Sequence, residues 1–106
     1  MNKTTQLTTT RILEFAQKLQ LNFSEYTIWN YFWKKYKRDE TSSKAQISDA
    51  FELLTDGGWI EAVHGSPGYY RLTEKGKAFS GWTEEALLED MPRPIEEAPK
   101  SWTSWF

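Results

Sequence analysis

The segment SSKAQISDAFELLTDGGWIEAVHGSPGYYRLTEKGKAF, residues 42–79, constrains the fold of this chain more than any other stretch. Its hydrophobic period switches from helical to alternating and then back. Ser43 followed by Gln46 forms a capping box, with a hydroxyl to accept from the N3 amide and a side chain to reach back. Ile47, Ala50, Phe51 and Leu54 then recur at i, i+3, i+4 and i+7, which predicts a helix with one buried face. Gly57-Gly58 ends it, one glycine supplying the left-handed conformation that satisfies the last carbonyls. Trp59–Val63 and Tyr69–Leu72 read as antiparallel strands joined by His64-Gly65-Ser66-Pro67-Gly68, a loop dense in turn formers. Thr73 caps a further short helix through Phe79.

Upstream, Ile12, Phe15, Ala16 and Leu19 predict a helix from about Thr9 to Leu19, with Thr8, Thr9 or Thr10 as its cap. Residues 20–23 read as a connector. Ser24 is a good N-cap, followed by Glu25 at the positive end of the helix dipole. The second helix, about Glu25 to Lys37, places Ile28, Trp29, Phe32, Trp33 and Tyr36 along one side. Such a stripe reads first as core, with Trp33 as the residue whose edge escapes burial.

The fold class expected is therefore mainly α with a small β-hairpin: three helices, a two-stranded wing and a C-terminal helix, which is a winged helix-turn-helix. Residues 1–80 form that domain, and 81–106 an acidic tail, helical from Thr83 toward Pro92 and irregular beyond. The segment 47–79 resembles the recognition helix and wing of bacterial winged-helix regulators of the MarR and PadR kind. Ile47, Phe51 and Leu54 match as core positions, Gly58-Trp59-Ile60 leads into the wing, and Tyr70-Arg71-Leu72-Thr73-Glu74-Lys75-Gly76-Lys77-Ala78 leaves it. The resemblance implies a third helix, about residues 43–56, lying in the major groove of duplex DNA with the wing beside it. The expected function is transcriptional regulation. The small size of the chain also suits a phage- or plasmid-encoded protein.

Residue chemistry then nominates contacts. Ser43, Lys44, Gln46 and Ser48 face outward near the start of the third helix, and Gln and Ser side chains can bond base edges. Lys34, Lys35, Lys37 and Arg38 form a basic run before that helix, suited to phosphates, although cations also stabilise any helix C-terminus. His64 and Arg71 are the wing candidates. Asp49 and Glu52 share the exposed face and repel phosphate; Asp49 stands where the resemblance implies a basic residue.

The alternative is a winged helix used for protein interaction, with Trp82, Trp102, Trp105 and Phe106 as the partner contacts. Charge is divided in a way that keeps both readings open. Residues 1–80 carry 11 Lys/Arg against 9 Asp/Glu, and residues 81–106 carry 2 against 6, so a mildly basic body precedes a −4 tail. Tail residues Leu87, Leu88 and Met91, with Trp82, could equally pack back on the body or form a homodimer surface, and Trp102, Trp105 and Phe106 could dock on the body, on another subunit or on a partner. Six Trp, six Phe and five Tyr are enough for a compact core without disulfides.

No cysteine is present and His64 is the one histidine, so no thiolate or paired-imidazole metal site is expected. Gly65-Ser66-Pro67-Gly68 lacks the strand–turn–helix setting of a nucleophile elbow, and Gly57-Gly58 has no Lys-Ser/Thr after it. No enzymatic activity and no cofactor are expected. Lack of cysteine, of a hydrophobic leader and of any apolar run near the ~20 residues that span a bilayer predicts a cytoplasmic protein without a membrane partner.

Overall fold

In the computed structural model, residues 2–37 and 39–82 are described. The elements run α1 (Lys3–Leu19), β1 (Phe23–Ser24), α2 (Glu25–Lys35), a single 3-10 turn (Glu40–Ser42), α3 (Lys44–Asp56), β2 (Ile60–Ala62), β3 (Tyr69–Leu72) and α4 (Glu74–Lys77). The described chain is mainly helical, with a small antiparallel sheet.

Helix α1 begins six residues before the expected start, capped by Asn2, whose side chain accepts from the Thr5 amide at 2.7 Å. The Thr8-Thr9-Thr10 run taken for a cap lies inside the helix. Each hydroxyl donates back to a carbonyl one turn earlier, which removes the polar cost of burying Thr8 and Thr9 completely. Helix α2 stops at Lys35, two residues early.

The sheet has three strands rather than the two of a bare hairpin. Its order is β1-β3-β2, with Phe23 opposite Tyr70 and Ile60 opposite Leu72. Two residues are too few to produce an alternating pattern, which is why the sequence predicts only a connector at β1. Pairing with β3 covers one hairpin edge and ties the hairpin to the α1–α2 junction.

The junction after α3 is more tightly specified. The Trp59 amide donates to Leu54 O at 2.9 Å and the Gly58 amide to Thr55 O at 3.1 Å, a Schellman closure in which Gly58 takes φ +80. Trp59 then enters the core, where its ring meets Trp82 edge-on at 5.0 Å and Trp82 meets Phe79 at 4.7 Å. Glycine is required where α4 passes this seam, because a Cβ on Gly76 would overlap the Trp59 carbonyl. The remaining core joins Ile12, Leu13 and Ala16 of α1, Phe23, Ile28 and Phe32, and Ile47, Ala50, Phe51 and Leu54 of α3.

Trp82 therefore separates the alternatives expected of it. It packs back on the body and is not an exposed partner contact: it is 6% exposed and its indole N–H donates to Thr9 Oγ1 at 2.9 Å inside the protein. Trp102, Trp105 and Phe106 lie outside the described residues, as does the helix expected after Thr83. Among the described residues no helix is long and apolar enough to cross a membrane.

Trp82→Ala removes a buried ring and its hydrogen bond. The expected cost is about 3–5 kcal/mol, as for other buried aromatics. Thermal unfolding should therefore show a Tm lower by about 10–20 °C for a domain of this size. An unchanged Tm would show that Trp82 is not part of the folded body.

Candidate interaction face on the second and third helices

The α2–α3 turn is fastened to α1. Asp39 caps the 3-10 turn, accepting from the Thr41 amide at 2.9 Å and the Thr41 hydroxyl at 2.6 Å. Arg11 reaches across from α1 to the other Asp39 oxygen at 2.7 Å and to Thr41 Oγ1 at 2.9 Å. Its guanidinium also lies 3.6 Å over the Tyr36 ring. Burial opposes the Asp39 charge, but the hydrogen bonds from Thr41 and Arg11 outweigh it and hold this carboxyl below its ordinary pKa. Nothing in the sequence singled out Arg11. A lone cation on a helix carries no periodic signal, and its partner lies 28 residues away.

This bracket sets the start of α3. Ser43 caps the helix by accepting from the Gln46 amide at 3.1 Å, as expected. The reciprocal half of the capping box does not form, because Gln46 Nε2 donates instead to Thr5 Oγ1 at 3.2 Å. Gln46 is thus half-buried and tied to α1. Ser43, Lys44, Ala45, Ser48, Asp49, Glu52 and Asp56 are exposed. The outward surface of α3 accordingly begins with hydroxyls and one cation and turns acidic one turn later.

The basic run before α3 is not brought together. Lys35 lies toward α1, its ammonium 5.5 Å from the Tyr31 ring and 6.0 Å from that of Tyr36. Hydrogen bonding to Tyr31 raises its pKa. Lys34, about 100° further round the helix, is exposed to solvent. Lys37 sits in the turn with φ 49, and Arg38 lies outside the described residues. On the hairpin, Arg71 pairs with Glu61 across the strands at 2.7 Å, an exposed ion pair of the kind that contributes only about 0–1 kcal/mol. His64 is exposed in the hairpin loop.

The aromatic stripe of α2 is core only in part, and Trp33 is its exposed member, as expected. Only Ile28 and Phe32 are fully buried. Trp29 and Trp33 follow these two in sequence and so sit about 100° further round the helix, which brings Trp29 to the edge of the core and leaves Trp33 38% exposed. Tyr26 is 70% exposed. Ring centroids of Tyr26 and Trp29 are 6.4 Å apart, and those of Trp29 and Trp33 are 5.4 Å apart. Lys44 Nζ of α3 lies 4.8 Å over Trp29. Glu25, Tyr26, Trp29, Lys44 and Ile47 line a groove of about 240 Å³ here, mostly apolar and bordered by one carboxylate and one cation. No pattern in the sequence marks this groove, because Tyr26 falls outside the α2 stripe and Lys44 belongs to another helix.

A larger open concavity, about 600 Å³, lies between the end of α1 and the hairpin. Among the described residues its charged lining is Arg71 and Lys77. Gln17 at its wall is engaged, donating to the carbonyls of Gly76 at 3.1 Å and Phe79 at 2.9 Å. Among the described residues no group of His, Cys, Asp or Glu is placed to hold a metal ion. Comparison with protein-family models, with curated proteins and with solved structures finds no match to this chain.

The Asp39 bracket predicts a pH effect of definite sign. A carboxyl with a lowered folded pKa stabilises the protein above its unfolded pKa, and that stability disappears as pH falls through the folded value. Denaturant unfolding should show Asp39→Asn less stable than the parent at pH 7. The difference should shrink as pH drops below about 3.9, the unfolded value. A difference independent of pH would contradict the bracket.

Proposed function

We propose that this chain is a winged helix-turn-helix protein that binds duplex DNA with the first turn of α3. The element order supports the reading: α1, β1, α2, α3 and a hairpin, with β1 completing the sheet. The observation that carries it is the exposed tip of α3, where Ser43, Lys44 and Ser48 face solvent with no part in the core. A helix N-terminus adds its own partial positive charge there, which favours phosphate.

The chemistry also limits the mode of binding. Asp49 and Glu52 would meet the phosphate field unfavourably, so contact concentrates at the tip of α3 rather than along its length. Exposed Lys34, Lys37 and Lys44 give few phosphate contacts, and Arg71 can join them only by leaving Glu61. About three neutralised phosphates correspond to a salt slope near −3, shallow for a duplex binder.

Fluorescence anisotropy on selected duplexes tests this. Binding should weaken with salt at roughly that slope. Lys44→Glu should reduce affinity by about tenfold or more, as for reversal of a phosphate-contacting charge, and Asp49→Ala should increase it. Absence of binding at low salt, or indifference to Lys44→Glu, would overturn the proposal.

A second reading, a protein-interaction module, is favoured by one specific feature. The Tyr26–Trp29–Lys44 groove presents aromatic surface, the residue class enriched at protein interfaces.

A further inference from the structure

The groove beside the first turn of α3 holds two opposite charges that do not meet. Among the described residues Glu25 and Lys44 form no ion pair with each other, although both line the same groove of about 240 Å³. Lys44 lies instead 4.8 Å over the Trp29 ring. Between the charges the floor is apolar. Trp29 and Ile47 line it, and the Tyr26 ring, 6.4 Å from that of Trp29 and tilted 40° to it, extends it into solvent. A ligand that satisfies every wall carries an anion for Lys44, a flat π-face for the rings and a hydrogen-bond donor for Glu25.

A nucleotide has those three parts. Its phosphate suits Lys44, its base stacks on aromatic rings, and an exocyclic amine donates to a carboxylate. Glu25 repels phosphate, so it fixes which way the nucleotide lies. Lys44 is exposed, and its ammonium can leave the Trp29 ring for a phosphate, opening that face to the base. A paired base cannot enter, because its neighbours cover its faces and its Watson–Crick edge is engaged. Only an unpaired nucleotide offers face and edge together.

We propose that the Tyr26–Trp29–Lys44 groove takes an unpaired, amine-bearing nucleotide at the margin of the bound duplex. Its base lies on Trp29 and Tyr26, its amine toward Glu25 and its phosphate at Lys44. The inference deepens the DNA reading, from which it takes the phosphate at Lys44. It makes the preferred substrate a duplex with a single-stranded overhang, and cytosine a better overhang base than thymine, which has a carbonyl where cytosine has its amine.

Anisotropy titrations of the full chain compare one selected duplex in three forms: blunt, with a short oligo-dC overhang, and with a short oligo-dT overhang. The oligo-dC form should bind about tenfold tighter than the blunt one, the effect of one stacked base. Oligo-dT should gain less. Tyr26→Ala, at a side chain 70% exposed, should erase most of the gain. Glu25→Gln should level dC and dT, because an amide both donates and accepts. Equal binding of blunt and overhang forms by the parent overturns the groove inference and leaves the duplex reading standing. So does a gain that survives Tyr26→Ala, which places the overhang elsewhere. Binding of the overhang forms alone, lost in Tyr26→Ala, sinks the duplex reading and keeps the groove. No binding of any form sinks both and leaves the groove to a protein partner.

Discussion

The position of α3 depends on the guanidinium of Arg11. It joins α1 to Asp39 and Thr41 and covers Tyr36, so a single side chain fixes the turn that both ends α2 and starts α3. Its charged partner is partly buried, with side-chain exposures of 19% for Arg11 and 34% for Asp39. A pair in that setting is screened less than one in open solvent. Removing either partner would leave a half-buried charge unmatched, the costly case for such pairs. Everything proposed for the tip of α3 presupposes that this turn holds its shape.

A second constraint lies at the opposite end of α3. Gly58 reverses the chain, Trp59 plugs the core, and α4 passes so close that position 76 admits only glycine. Lys75 reinforces the seam: its ammonium donates to Gly57 O at 2.8 Å and lies 3.9 Å over the Trp59 ring. The Trp59 indole N–H is buried without an acceptor among the described residues. That is a real cost, of order 1–3 kcal/mol for a buried donor, and burial of the ring against Trp82 is what offsets it. The hairpin is thus anchored at its base by Trp59 and along one edge by β1, while its loop leaves His64 exposed.

Much of this was legible in the sequence where a pattern extends over several residues. The four apolar positions of α3, the Ser43 cap, the glycine stop and the hairpin loop are local signals, and each appears where its chemistry requires. Features built from distant pieces were not legible. Strand β1 is too short to show a period, and Arg11 finds its partner only through the fold. The groove needs Tyr26 from one helix and Lys44 from another. Polar residues misled in both directions: the threonines of α1 read as a cap because their back-bonding to carbonyls is invisible in a string of letters, and Gln46 read as a base reader although Thr5 holds it. The basic run looked like one patch, yet helix geometry turns Lys35 toward Tyr31 and away from Lys34.

The central claim is that the first turn of α3 is the working surface of the protein. An amide chemical-shift titration of the full chain with duplex DNA tests it most directly. The account predicts shifts concentrated at residues 43–48, with weaker ones at the hairpin loop around His64 and none along the Arg71–Leu72 side of the sheet. Shifts centred on the concavity between α1 and the hairpin, or no shifts at all at low salt, would contradict it.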